Sequence, residues 1–390
     1  MQRSAVIRAA VIFTNYGPYH LARAKVLAKI PDIEPRFIAL ARGTGTHPWE
    51  VDRQSCPVPL CTLSELPYEH SRSGDLSRAL QRTLEDIDPE VVISCGYGLS
   101  VMRVAARWAR SHGKGSILFH VTTRGDRPRY WLKEAAKRWI VRRYYDAAFL
   151  GGSRHREYLV GLGMPEEWIW EPYDVVDNDY FSGMAAAVRT DPKRWREWLG
   201  LPDRYFLYVG RCSPEKNLVR LLQAYRGYRM KQPEGWQLVL VGDGPQRVEL
   251  EDFARASSIG DVLWCGFKQI DELPAYYALS GCLILPSTSE PWGLVVNEAM
   301  ACRLPVLVSS QCGCVPELVH EGENGFTFDP CDPIAMAELL GRVALLDEPQ
   351  RRAMGAVSWK IISQYTPEVW AENLAKCIRA VVRGERREIP

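Results

Sequence analysis

Short β-branched runs alternate with longer helical patterns through most of the chain, and this alternation limits the possible folds more than any other feature. Residues 5–14 (AVIRAAVIFT), 35–41, 90–95 (EVVISC), 116–121 (SILFHV) and 146–150 read as strands, and 19–30, 75–87, 99–112, 129–144 and 153–162 read as helices. Apolar strands that alternate with helices form parallel sheets covered on both faces. The pattern stops over 172–204, where Pro172, Gly183, Pro192 and Pro202 punctuate a stretch poor in apolar residues. It restarts at FLYVG (206–210) and continues through strands at 236–242, 262–266, 282–286 and 305–309, with helical patterns between them and a helical tail from 333. The chain has 390 residues, enough for two domains of about 100–200 residues each. We expect an α/β architecture of two doubly wound Rossmann-like domains facing a cleft. The expected boundaries are 1–185 and 186–365, with a last helix over 366–390 returning toward the first domain.

Ligands of doubly wound sheets sit at the carboxyl ends of the strands, so the candidate chemistry lies at the strand ends. Residues 286–298 are PSTSEPWGLVVNE. Glu290 lies in the loop that leaves a strand, and Gly293 opens a helix whose first backbone N–H groups, near Leu294 and Val295, have no helical acceptor. Such a helix start takes phosphate, and Glu298 follows about five residues into the helix. Two carboxylates flanking an anion site suit a diphosphate placed between two hydroxyl-rich groups. In FLYVGRCSPEKN (206–217), Gly210 ends a strand and Arg211 and Lys216 follow it. Arg holds phosphate oxygens with two hydrogen bonds and Lys adds a point charge. VGDGP (241–245), with Gly242, and CGFK (265–268), with Gly266, Phe267 and Lys268, are further strand ends.

In this order and at these spacings, the motifs of 206–332 resemble the family 4 glycosyltransferases, which have the GT-B fold. The resemblance implies a retaining transfer of a sugar, hexosyl in type, from a nucleoside diphosphate sugar. UDP- or GDP-sugars are the expected donors, and a saccharide or lipid-linked hydroxyl is the expected acceptor. It implies that Arg211 and Lys216 hold the diphosphate and that Glu290 holds donor-sugar hydroxyls. It also implies that Glu298 holds the ribose, that Trp292 to Val295 touch sugar and phosphate, and that Gly266 to Lys268 lie near the base. No cofactor and no metal is expected. Asp177-Asn178-Asp179 is assigned to the segment joining the domains rather than to a metal. Arg303 and Cys314 stand where the family commonly has glycine. A non-catalytic nucleotide-sugar or surface-binding protein and a GT-B epimerase are the competing readings.

In the first half, TNYGPYHLARA (14–24) offers Tyr16 and His20, with Gly17 beside the donor phosphates by resemblance. His120 ends a strand where relatives place a histidine near the donor sugar. Arg124, Asp126 and Arg129 follow as acceptor-side candidates. The net charge of +2 conceals a segment, 103–156, with 14 basic residues against 3 acidic, a net +11, interleaved with Trp131, Trp139, Ile140, Tyr144 and Tyr145. A basic, aromatic helix reads as interfacial, so peripheral contact with an anionic membrane is expected there. Nucleic acid is not expected, because no recognition motif accompanies the charge. Eleven cysteines, with no C-x-x-C pair, suit reduced thiols in a cytoplasmic protein, with a peripheral place at the inner face of the membrane. The N-terminal residues read as a buried strand rather than a signal peptide.

Overall fold

A computed structural model describes residues 6–45, 49, 58–126 and 128–384. Outside the described residues lie the start of the expected first strand (residue 5), Arg127 of the basic segment, and 385–390 of the expected last helix. The chain divides into two compact units, and the GT-B expectation of paired Rossmann-like domains holds at the level of each unit.

The first unit runs through Arg124, continues over Pro128–Val175 and resumes at Tyr365. Its elements are β1 (Ile7–Phe13), α1 (Pro18–Leu27), β2 (Ile33–Ala39), β3 (Leu60–Thr62), α2 (Ser73–Ile87), β4 (Val91–Cys95), α3 (Ser100–Ser111), β5 (Gly115–His120), α4 (Trp131–Tyr144), β6 (Ala147–Leu150), α5 (Ser153–Gly161) and β7 (Ile169–Trp170). The seven strands are parallel in the order β3-β2-β1-β4-β5-β6-β7. Successive side chains of a strand point to opposite faces. Thus Ala9, Val11 and Phe13 of β1 pack into one buried cluster while Ala10 and Ile12 pack into another. With both faces covered, no polar alternation is needed, which is why these strands read as apolar runs.

The second unit spans Val176–Gln364 together with Gly125–Arg127. It contains α6 (Asn178–Val188), α7 (Pro192–Leu199), β8 (Tyr205–Val209), α8 (Leu218–Lys231), β9 (Gln237–Val241), α9 (Arg247–Ala256), β10 (Val262–Gly266), α10 (Leu273–Leu279), β11 (Cys282–Leu285), α11 (Leu294–Ala301), β12 (Val306–Ser309), α12 (Val315–Leu318), β13 (Gly325–Phe328), α13 (Pro333–Ala344) and α14 (Glu348–Ile362). Its six strands are parallel in the order β10-β9-β8-β11-β12-β13. Strand order reverses between β1 and β4 in one unit and between β8 and β11 in the other. These are the points where such sheets open a crevice at their carboxyl ends.

The boundary expected after residue 185 falls instead between Val175 and Val176. Residues 172–204 are not an empty junction. α6 buries Phe181, Ala185 and Val188 at helical spacing and packs on α10 and α11. Asp177 accepts from the Tyr180 N–H at 2.9 Å as the α6 N-cap, so the Asp-Asn-Asp run is a helix start. The last helix, α15 (Pro367–Val382), belongs to the first unit and packs on α1 and on β4 to β7. Trp370, Leu374, Cys377, Ile378 and Val381 are fully buried in its core. Arg379 clamps it with two hydrogen bonds to Asp32, at 2.7 and 2.6 Å, and holds the Asp32 carboxyl below its usual range.

Candidate functional site

Backbone hydrogen bonds stitch the carboxyl ends of β8, β9 and β10 together. The Gly210 N–H donates to Val241 and the Gly242 N–H to Gly266, at 3.0 and 2.8 Å. Gly242 has φ +142, and a Cβ there would lie 1.8 Å from the Gly210 carbonyl oxygen, so no other residue fits. Beyond Gly210, Arg211 is half-buried, and its carbonyl accepts from the Tyr208 hydroxyl at 2.8 Å. The Arg211 guanidinium has no ion-pair partner among the described residues.

The loop leaving β11 closes onto the loop leaving β8. The Lys216 ammonium is ion-paired with the Glu290 carboxylate, and the two side chains are 18% and 12% exposed. The Ser287 hydroxyl also donates to Glu290, at 3.3 Å. The Thr288 N–H donates to the Glu215 carbonyl at 2.9 Å. Asn217, in a left-handed conformation at φ +59, donates to the Pro286 and Pro330 carbonyls at 3.0 and 2.8 Å. On the other side, the Gly313 N–H donates to the Glu290 carbonyl at 2.9 Å and the Cys314 N–H to the Trp292 carbonyl at 3.3 Å. The Glu290 loop is therefore fixed by its backbone before any ligand arrives.

Gly293 caps α11 at φ +103, and a Cβ there would meet Leu285 at 2.9 Å. The Leu294 and Val295 N–H groups donate to no backbone acceptor among the described residues. Trp292 is buried, with its Nε1 donating to Asn297 at 2.9 Å. Glu298 is 1% exposed and accepts from the Tyr277 hydroxyl at 2.7 Å. One of its oxygens is thus engaged by the protein, which the expected ribose contact does not anticipate. At the end of β10, Lys268 pairs with Glu272 at 3.2 Å beside Phe267.

Arg303 takes a left-handed backbone conformation, φ +60, which glycine adopts without strain, and its guanidinium lies 4.9 Å from the Trp359 ring centre. Cys314 is fully buried, and burial pushes its thiol well up. Among the described residues, no three His, Cys, Asp or Glu side chains group in a way that could hold a metal ion.

In the first unit the expected residues divide into structural and open ones. Tyr16 is 2% exposed, with its hydroxyl donating to the Cys61 carbonyl of β3 at 3.1 Å. It is a core residue rather than a loop side chain facing a ligand. His20 packs against Phe13 with the rings tilted 49° to each other, and its Nδ1 accepts the Gly17 N–H at 2.9 Å, capping α1. Burial, helped by Arg23, lowers its pKa to about 3. Gly17 has φ −123, and a Cβ there would meet only His20 at 3.5 Å and Trp49 at 4.0 Å. The protein's own atoms therefore do not require a glycine at this position.

His120 is 2% exposed at the end of β5, stacked 5.8 Å from both Tyr97 and Tyr158, and its Nε2 has no hydrogen-bond partner among the described residues. Burial, then nearby His155, lowers its pKa to about 3, so the imidazole is neutral at pH 7. Arg129 pins its own loop, donating to the Thr123 and Arg124 carbonyls and, at 2.9 Å, to Tyr158. Arg124 is exposed, while Asp126 belongs to the second unit, where its carbonyl accepts from the Ser289 hydroxyl at 3.1 Å.

The structure thus brings together Gly210, Arg211, Lys216, Gly242, Gly266, Glu290 and the α11 start. It keeps Tyr16 and His20 in local packing. Ser287, Asn217 and Tyr277 join the site without having been expected from the sequence. PEKN is a signal for the left-handed turn at Asn217, but nothing local marks the other two.

Residues 191–358 match the family Glycosyl transferases group 1. Alpha-D-kanosaminyltransferase of Streptomyces kanamyceticus is 29% identical over 243 residues, 62% of this chain and 61% of that protein. Glycogen synthase of Mycobacterium tuberculosis is 34% identical over 262 residues, 66% of this chain and 59% of that protein. The chain spans less than two thirds of these curated relatives. Anabaena Alr3699/HepE, solved in complex with UDP-glucose, superposes with a TM-score of 0.75 at 16% identity over 96% of this chain and 100% of its own. An alpha,alpha-trehalose-phosphate synthase (UDP-forming) from Burkholderia vietnamiensis does so with a TM-score of 0.75 at 14% identity over 99% of each chain. At such identities the likeness establishes the shared fold.

Proposed function

We infer that this chain, whose residues 191–358 match the glycosyl transferases group 1 family, is a retaining, family 4 glycosyltransferase. It moves a sugar from a nucleoside diphosphate sugar to a saccharide or lipid-linked hydroxyl. The observation that carries this reading is the Lys216–Glu290 pair, held on the loops that leave neighbouring strands β8 and β11. A dianionic leaving group needs positive charge where the bond breaks, and donors held in place beforehand supply it without reorganisation. Arg211 and Lys216 give two cations, and the Leu294 and Val295 N–H groups give two neutral donors. Glu290, ion-paired with Lys216, takes sugar hydroxyls when the diphosphate draws the ammonium.

No nucleophile–base pair appears among these residues, so the reading needs none. The acceptor oxygen bonds to the anomeric carbon on the face that the diphosphate leaves. The carbon–oxygen bond to phosphate breaks, and the acceptor proton passes to a diphosphate oxygen. His120, being neutral, contributes a hydrogen-bonding ring rather than a charge. Because the cations carry the leaving group's charge, no metal is required. The described cysteines are free thiols, which supports a reducing compartment such as the cytoplasm.

The test is turnover with a panel of UDP- and GDP-sugars and simple acceptors, with the anomeric configuration of product read by NMR. A product with the donor's configuration, formed undiminished in EDTA, is expected. Inversion, or loss of turnover in EDTA, overturns the mechanism. Nucleotide-sugar binding without transfer or hydrolysis across the panel would make the chain a binding protein, and release of free sugar without acceptor would make it an epimerase.

A further inference from the structure

The first unit contains a helix whose apolar side faces outward. In α2 the residues at i, i+4 and i+8, Leu76, Leu80 and Leu84, are buried, as a soluble domain requires. In α4 the same spacing holds Trp131, Ala135 and Trp139, and all three are exposed. Trp131 is 78% exposed, Leu132 63% and Trp139 58%, and Tyr130 just before the helix is 60% exposed. Val141 is the single buried residue of this helix. Isolated exposed apolar side chains are ordinary, but a contiguous stripe of them marks an interaction surface.

The structure also sorts the basic segment around that stripe. Arg110, Lys114, Lys137 and Arg156 have carboxylate partners, in Asp146, Asp88, Glu134 and Glu171. Arg124, Lys133, Arg138, Arg142 and Arg143 have none among the described residues. All five lie on or beside α4, and Lys133 and Arg143 rest over the Tyr130 and Tyr144 rings. A groove of about 890 Å³ runs along the helix, lined by Arg124, Arg129, Trp131, Arg138, Trp139 and Arg142 among others. Indole rings settle at a lipid–water boundary, and arginines at their side meet phosphate headgroups. No helix of the described residues is long and apolar enough to cross a membrane, so an attachment through this unit is peripheral.

We propose that the outward face of α4 is a docking surface for an anionic membrane. Trp131, Leu132 and Trp139 enter the interface, and Arg124, Lys133, Arg138, Arg142 and Arg143 engage lipid phosphates. The occupant follows from charge complementarity, since the stripe is ringed by unpaired cations and a protein core partner would leave them buried without counter-charge.

The test is co-sedimentation of the full chain with phosphatidylcholine vesicles, with and without phosphatidylglycerol. Binding is expected to the anionic vesicles alone, weakening as salt rises. Each basic residue near such a surface contributes about 1 kcal/mol, so Arg138→Ala with Arg142→Ala should lower partitioning roughly thirtyfold. Trp131→Ala with Trp139→Ala should also weaken it, and that loss should persist at all salt concentrations. These residues are exposed, so melting temperatures should stay unchanged. Arg211→Ala, in the other unit, should leave partitioning intact, which separates this surface from the sugar-transfer reading.

Equal binding to neutral vesicles, no binding to anionic ones, or full binding by both double variants overturns the proposal. So does release from anionic vesicles by inorganic phosphate at an ionic strength where sodium chloride releases nothing, because the groove is then a free-anion site. A chain that sediments as a dimer and becomes monomeric in the Trp131→Ala, Trp139→Ala variant would assign the face to a second copy instead.

Discussion

Replacing Lys216 by alanine separates a catalytic cation from a structural ion pair. The two side chains are 18% and 12% exposed. Removing the ammonium leaves the Glu290 carboxylate largely buried, with the Ser287 hydroxyl at 3.3 Å. Leaving such a charge unpaired costs about 1–3 kcal/mol. A unit of this size loses about 2–4 °C in Tm per kcal/mol, so the single variant should melt several degrees lower. Turnover should fall by more, since losing one donor to a developing anion costs about 2.7–4 kcal/mol, or 10²–10³ in kcat. The decisive protein is the double variant Lys216→Ala, Glu290→Ala. It removes both charges, so it should regain most of the lost Tm, yet it should stay as inactive as the single variant. Calorimetric melts and a donor-hydrolysis assay on the four proteins of the cycle provide both readouts. If the double variant recovers turnover along with Tm, the pair is scaffolding and the cation's role in the mechanism is wrong.

Two glycines should behave oppositely. Gly242→Ala places a Cβ 1.8 Å from the Gly210 oxygen at φ +142 and should cost on the order of 2–4 kcal/mol in a thermal melt. Gly17→Ala has no such contact and should change stability by less than about 0.5 kcal/mol while weakening nucleotide-sugar binding by calorimetry; unchanged binding would remove this loop from the site. Trp370→Ala, at a fully buried position, should cost about 3–5 kcal/mol in the first unit, read by denaturant titration. The pH dependence follows from His120, at about 3 when folded against about 6.5 when unfolded. Between these values the unfolded chain binds a proton that the folded chain refuses. The stability is therefore complete above about pH 6.5 and is lost as pH falls, by up to roughly 1.4 kcal/mol per pH unit. His20, also at about 3 when folded, adds an equal slope, so in melts from neutral to acid pH His120→Gln should remove about half of the total; an identical slope in the variant would refute the buried, neutral assignment.

The parts legible in the sequence are those where one local pattern has one physical outcome. Apolar runs between helices specify parallel strands because both sheet faces are covered, and the strand ends carrying Gly210, Gly242, Gly266 and Glu290 are legible because their motifs lie entirely within those ends. The boundary is misleading for an equally local reason. Pro192 looks like a breaker, but it is the first residue of α7, behind the Asp191 cap, where proline costs nothing. β3 and β7 escape sequence reading because three and two residues carry too little pattern to separate a strand from a turn. Side-chain direction is the deeper loss. Tyr16 and His20 sit beside the expected loop, yet one is tied to a carbonyl 45 residues away and the other to the N–H of Gly17. Glu298 meets Tyr277 21 residues away, and Asn217 meets Pro330 113 residues away. Apart from the local His20 cap, such partners are chosen by the fold, so no short window of sequence contains them. α4 shows the same limit from the other side. Its aromatic and basic residues are plain in the sequence, but a helix with this composition can bury either face. Only the packed unit shows that Val141 turns inward while Trp131 and Trp139 turn out, and that orientation makes the segment's charge and its apolar surface available to the same partner.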